Sequence, residues 1–339
     1  MHRHPVLRRR WLALALLLPL VPAWAAGPTT LLNVSYDVSR EFYKDYNAAF
    51  AAEWKKRHGD SIAINQSHGG SSKQARSVLD GLQADVVTMN QASDIDVLAQ
   101  RGHLLPTDWA GRLPDHSSPT SSVTVILVRK GNPKHITDWS DLARPGVGVV
   151  VPNPKTSGNG RYTYLAIWGA GLKAGLSPDA AKALVTRVFA NVPVLDGGGR
   201  AATTTFAQRG IGDALVTFES EAPLIVGEFG DQFELVYPSQ TILAENPVAV
   251  IDKVVDERGS RALATAYLEY LYSEPGQEIA ARHHLRPRNA KVLARHAQAF
   301  PQVKTFTVDE LFGGWSRAQK EHFDDGGLYD QVIGAAKGR

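Results

Sequence analysis

Four short segments hold the residues whose types and spacing could do chemistry: Ser35–Ser39, Ser67–Ser72, Ser157–Gly160 and Asp196–Arg200. Each follows a strand-like run and precedes a helix-like one, so each joins a strand to a helix N-terminus. A helix start leaves backbone N–H groups without intrahelical partners and carries about half a positive charge. Glycine lets that backbone approach a ligand closely. Serine caps the helix or donates its hydroxyl. The implied chemistry is anion binding. Hydrogen bonds to an ion are worth roughly 1.5–3 kcal/mol each, and a micromolar complex needs about 8 kcal/mol. A handful of such donors therefore suffices without a buried lysine or arginine. One glycine-serine loop is more often a plain turn; four at strand–helix junctions carry the inference.

Other chemistries find less support. Gly69-Gly70-Ser71-Ser72-Lys73 lacks the P-loop spacing, and Gly158-Asn159-Gly160 lacks a third glycine in register. There is no Gly-x-Ser-x-Gly and no His-Glu-x-x-His. His283 and His284 are adjacent, so on a helix they diverge by about 100° and make poor joint ligands. Glu219 and Glu221 stand at an expected helix start, where carboxylates serve the dipole. Arg161 and Arg200 either contact the anion directly or form salt bridges beside the loops, the second being slightly favoured. No catalytic residue, metal site or cofactor is expected. The rival from another class is a secreted enzyme acting on phosphate or sulfate esters. It would need a nucleophile, a metal or an acid–base pair, and no convincing set is present.

The elements that position these loops alternate strand and helix. Leu31–Val34 reads as a strand, followed by a helix to about Arg57 whose Phe42, Tyr46, Phe50 and Trp54 share one face. Ser39 is expected as its N-cap and Gly59 as its stop. Ile62 and Ile64 mark a second strand and Val86–Met89 a third. After Pro106, Pro114 and Pro119, Val123–Arg129 is a long strand that crosses to a second lobe. Val147–Val151, Ala214–Phe218 and Phe233–Tyr237 read as its further strands, with a helix from Pro178. Val248–Ile251 returns the chain, and helices follow at Arg261–Tyr272, Gln277–His284 and Val308–Phe323. This pattern predicts two α/β lobes with largely parallel sheets and a hinged cleft at the carboxyl ends of the strands.

The chain has 339 residues, 43% hydrophobic and 21% charged, enough for two cores. Arg8-Arg9-Arg10, the apolar run Trp11–Val21 and Ala23-Trp24-Ala25 read as a secretory signal peptide with cleavage after Ala25. The run is well short of the roughly 20 residues of a membrane span. Cleavage removes four arginines and moves the net charge from +3 to −1. No case for nucleic acid or an anionic surface survives that change. The absence of cysteine leaves the core alone to hold an exported fold together and excludes thiol chemistry. The expected division is 1–25 signal peptide, 26–115 with 246–339 as lobe I, and 116–245 as lobe II.

Several stretches resemble a known family. They are Ser35-Tyr36-Asp37-Val38-Ser39-Arg40, His68–Ala75, Val128–Lys134, Asn153–Gly169 and Ile242–Glu245. They resemble the periplasmic sulfate- and thiosulfate-binding proteins of ABC importers, over nearly the whole chain after the leader. The resemblance implies a two-lobed periplasmic binding protein of type II, α/β, each lobe a mostly parallel sheet flanked by helices. It implies a dehydrated dianion held by neutral donors: the main chain at Asp37, Ser71 with its hydroxyl, Gly158, Asn159 and Gly199. Ser35, Ser39, Ser72, Ser157, Arg161 and Arg200 are expected directly behind these. Phe218 departs from the sulfate-binding pattern, which places a tryptophan donor there. Asp85–Gln91 and Thr203–Phe206 also look closer to thiosulfate-type members. The implied setting is the periplasm, a monomer and the membrane subunits of an ABC transporter as partner. Phosphate is the rival ligand, because it keeps a proton that needs an acceptor. Asp37 is the candidate acceptor, and its carboxylate facing the anion would favour phosphate.

Overall fold

The computed structural model describes residues 29–338. The leader read over 1–25 lies outside the described residues. The first lobe begins with β1 (Thr30–Tyr36), α1 (Arg40–His58), β2 (Ala63–Gly69), α2 (Ser71–Leu79), β3 (Val86–Thr88), α3 (Ala92–Gln100) and the short α4 (Pro114–Ser117). The second contains β4 (Thr120–Arg129), β5 (Val149–Pro152), α5 (Gly158–Lys173), α6 (Pro178–Ala190), β6 (Leu195–Asp196) and α7 (Gly199–Thr203). It continues with β7 (Ala214–Phe218), α8 (Ala222–Phe229), β8 (Phe233–Val236) and β9 (Thr241–Asn246). Then come β10 (Val248–Val250), α9 (Asp252–Arg258), α10 (Arg261–Tyr270), α11 (Glu274–Arg282), β11 (Arg286–Pro287) and α12 (Ala290–Arg295). The chain ends through β12 (Thr305–Phe306), α13 (Val308–Phe312), α14 (Trp315–Ala318) and α15 (Leu328–Lys337).

The first sheet has the order β10-β3-β1-β2. β1 is central and parallel to both neighbours, in register Leu31↔Ile64 and Val34↔Val87, while β10 is antiparallel to β3. Placement at the centre explains its apolar run, since both faces are covered. Phe42, Tyr46 and Phe50 of α1 pack into the core of this lobe, the rings of Tyr46 and Phe50 meeting Tyr267 of α10 edge-on at 5.1 and 5.2 Å. Gly59, at φ 83°, stops α1 by donating to Lys55 O at 2.8 Å. Ser39 does not cap it as expected; the strand runs into a 3-10 turn over Asp37–Ser39, and the Ser39 hydroxyl donates back to Tyr36 O at 2.7 Å.

The second sheet has the order β12-β9-β4-β7-β5-β6, with β8 and β11 also on β4. It is mixed: β5 is parallel to β6 and β7, but the long crossing strand β4 is antiparallel to β7, β8, β9 and β11. β4 enters from the other lobe, so the βαβ handedness that sets parallel neighbours does not bind it. α5 is buried along most of its length, and a Cβ on its Gly169 would lie 2.4 Å from the Phe306 ring.

The expected assignment of all of 246–339 to lobe I is corrected by the packing. β12 pairs with β9, and Phe306, Val308, Phe312, Phe323, Tyr329 and Val332 join the core built on α5 and α6. The chain therefore crosses between lobes three times, not two. An amphipathic tail carries no local signal of which core will receive it. The helix expected over Val308–Phe323 is broken at Gly313 and Gly314, whose φ values are 69° and 90°. Past α14 it becomes a π turn over Gln319–Phe323.

Candidate anion-binding site

The four glycine-serine junctions converge from both lobes. Lobe I contributes the β1–α1 turn and the start of α2; lobe II contributes the starts of α5 and α7. Ser71, Gly158 and Gly199 are the first residues of α2, α5 and α7. Together with Asn159 they lie ahead of the first intrahelical acceptor, so their N–H groups are open to a ligand. Ser157 caps α5, accepting from Gly160 N at 3.5 Å. α2 and α7 have glycine N-caps and no side-chain cap. A bound anion fits that role.

The lobes touch through backbone. A Cβ on Gly70 would lie 2.6 Å from Thr156 O and 3.0 Å from Gly197 O. One on Gly158 would lie 1.9 Å from Asn90 Oδ1. One on Gly199 would meet Val38 Cγ1 at 2.9 Å and Asn159 Nδ2 at 3.1 Å. Each value is below or at the edge of tolerable contact, so these glycines are what lets the cleft shut.

The charged candidates are committed elsewhere. Asp37 Oδ1 accepts from Val38 N at 3.1 Å, and Oδ2 accepts from Arg200 N of the other lobe at 3.2 Å. Burial pushes the Asp37 carboxyl up, and these backbone donors oppose the shift. Both oxygens are occupied by N–H groups, which disfavours a role as proton acceptor for phosphate. Arg161 Nε donates to Pro154 O at 2.9 Å, and its Nη1 lies 3.8 Å from Asp94 Oδ1. Arg200 turns its guanidinium to the surface, 3.7 Å from Glu228. The salt-bridge alternative thus describes both arginines better than direct anion ligation.

The supporting serines hold loops. Ser35 and Ser39 hydroxyls lie 2.6 Å apart beneath the β1–α1 turn, and Ser72 Oγ accepts from Gln91 Nε2 at 3.1 Å. Ser71 Oγ accepts from Asn90 N at 3.4 Å. Phe218 ends β7 and is 2% exposed; its ring packs edge-on against Tyr162 at 5.8 Å, one turn into α5.

Two groups hold places that the sequence reading did not assign them. Glu221 lies behind the lobe II loops, accepting from Thr203 Oγ1 at 2.9 Å and Thr217 Oγ1 at 2.6 Å. Thr217 Oγ1 in turn accepts from Asn159 Nδ2 at 3.3 Å. Burial pushes the Glu221 carboxyl up to about 7. It does not serve the start of α8 as expected, and Glu219 instead forms a bidentate pair with Arg286 at 2.6 and 2.7 Å. The second missed residue is Asn90, after β3. The available signal was that β3–Asn90–α3 is a fifth strand–helix junction. A cavity of about 510 Å³ lies beside the site rather than at it, lined by α2, α3, Arg161 and the segment after α13.

A two-lobed α/β frame whose helix starts close on a common point defines a periplasmic binding protein of type II. The sequence profile described as "Bacterial extracellular solute-binding protein" matches residues 37–286, and the chain belongs to that family. It is 62% identical over 311 residues to a thiosulfate-binding protein of Pseudomonas aeruginosa, covering 91% of this chain and 93% of that one. It is 55% identical over 305 residues to a sulfate-binding protein of Escherichia coli, covering 89% and 92%. Among solved structures, the sulfate-binding protein SubI from Mycobacterium tuberculosis superposes with a TM-score of 0.79 at 33% identity, covering 87% of this chain and 100% of that one.

Proposed function

We propose that this chain captures sulfate and thiosulfate between its lobes and delivers them to the membrane subunits of an ABC importer. The supporting observation is the meeting of open helix starts from both lobes at a point where neighbouring arginine and aspartate side chains are already paired. Such a pocket offers N–H donors, and the carboxylate beside them, Asp37, already accepts two backbone N–H groups. It suits a fully deprotonated dianion and disfavours hydrogenphosphate, whose proton would be buried unpaired. The names of the relatives agree with this choice. The proposed setting is the periplasm, as a monomer, after removal of the leader; among the described residues no helix is long and apolar enough to cross a membrane.

Calorimetric titration of anion-stripped protein with sulfate, thiosulfate and phosphate tests this. Tight binding of the first two and none of the third is expected. Phosphate binding alone would return Asp37 or another carboxylate to the role of acceptor and overturn the assignment.

Phe218 bears on the choice between the two anions. Phenylalanine offers no donor where the sulfate binders resembled by this chain place an indole, and a terminal sulfur is larger and a weaker acceptor than oxygen. Phe218→Trp is expected to shift the affinity ratio several-fold toward sulfate, read from paired titrations. An unchanged ratio would remove Phe218 from the selectivity argument.

A further inference from the structure

Asn90 is 2% exposed, and its side-chain amide forms no hydrogen bond among the described residues; Oδ1 is buried without a donor. Its main-chain N–H donates to Ser71 Oγ, and its amide rests against Gly158. Asn90 therefore touches two of the proposed donor positions, one from each lobe: Ser71 through its main chain and Gly158 through its amide. A buried polar group left unpaired is destabilising, so an unengaged amide here calls for a partner. An anion reaching both the α2 and α5 starts would lie beside it. With no other hydrogen bond to hold it, the amide can turn over, exchanging Oδ1 for Nδ2 and presenting N–H donors.

We infer that Asn90 is a further ligand of the bound oxyanion, donating through Nδ2 and supplying a side-chain donor in a site where Phe218 has none. This inference rests on the anion-binding reading above. It extends the donor set beyond helix starts to an amide between strand β3 and helix α3. Because that amide also touches Gly158 of the opposite lobe, an anion held by it lies at the seam between the lobes.

Titrations of wild type, Asn90→Ala, Asn90→Leu and Asn90→Asp with sulfate and thiosulfate test it, with circular dichroism melts to verify folding. Asn90→Leu keeps most of the volume and removes the donor; sulfate affinity is expected to fall about ten- to a hundredfold, the effect of one lost hydrogen bond to an ion. Asn90→Asp should bind most weakly at pH 7. It should recover as pH is lowered, because a protonated carboxyl donates again. Wild-type binding with Asn90→Leu within threefold of it overturns the inference and leaves the anion-binding reading standing. So does a flat pH profile for Asn90→Asp beside a weak Asn90→Leu, which marks a packing role. Phosphate binding by wild type that is lost in Asn90→Leu would show Oδ1 acting as acceptor, and overturns the donor assignment. Failure of wild type to bind any of the anions falsifies the underlying reading instead.

Discussion

Gly158 shows how a single residue joins recognition to closure. It is the first residue of α5, where the backbone N–H has no intrahelical partner, and its missing side chain makes room for Asn90 of the opposite lobe. Gly158→Ala would place a methyl 1.9 Å from Asn90 Oδ1. The amide or the lobe must move, and sulfate affinity is expected to fall at least tenfold, with the melting temperature little changed because the clash vanishes when the cleft opens. Titration calorimetry and a thermal melt check the pair of outcomes. At this scale the sequence was legible where backbone chemistry repeats: Ser71, Gly158, Asn159 and Gly199 stand where helix starts require them. It was less legible where a side chain's role depends on the other lobe. Asp37 ties its turn to Arg200 N across the cleft, and no spacing within either segment announces that bond. Glu221 was read as serving a helix start, whereas its partners are threonines 4 and 18 residues away.

Elements that depend on local pattern alone were the most readable: the aromatic stripe of α1, the glycine stop at Gly59 and the proline start of α6. The segment after α12 was misread because its breaks come from Gly313 and Gly314 and its packing from a distant core. That segment carries a pH-sensitive group. His322, in the π turn, is 4% exposed, lies 3.0 Å from Tyr164 Oη through Nδ1, and is ringed by Trp168, Phe312 and Phe323. Burial lowers its imidazolium pKa from 6.5 to about 4. The folded state thus resists a proton that the unfolded chain accepts. Stability is full above about pH 6.5 and is lost as pH falls toward 4, by about 3 kcal/mol in all. Denaturant unfolding at pH 7 and pH 4.5 should show this loss, and His322→Leu should show a smaller difference between the two pH values. An equal difference in both proteins would exonerate the histidine.

At the scale of the molecule, alternating strands and helices announced two lobes, and the crossing at β4 was visible as a long apolar strand after a proline-rich stretch. The mixed character of the second sheet and the third crossing were hidden, since both arise from pairings between segments far apart in the chain. The shut cleft has a measurable counterpart. Ligand that contacts both lobes favours the closed form by its differential affinity. Small-angle scattering of the stripped protein is expected to show a larger radius of gyration that contracts on adding sulfate, and Gly158→Ala should need at least tenfold more sulfate to contract. Identical curves with and without sulfate would argue against a hinged capture mechanism. The return of the chain to lobe II after α12 places β1 and α15 in different lobes. Two fluorophores attached beside these elements, one ahead of Thr30 and one beyond Lys337, would ride on different bodies. Their energy transfer should change with each cycle of anion capture, which makes the chain a natural frame for an optical gauge of dissolved sulfur oxyanions.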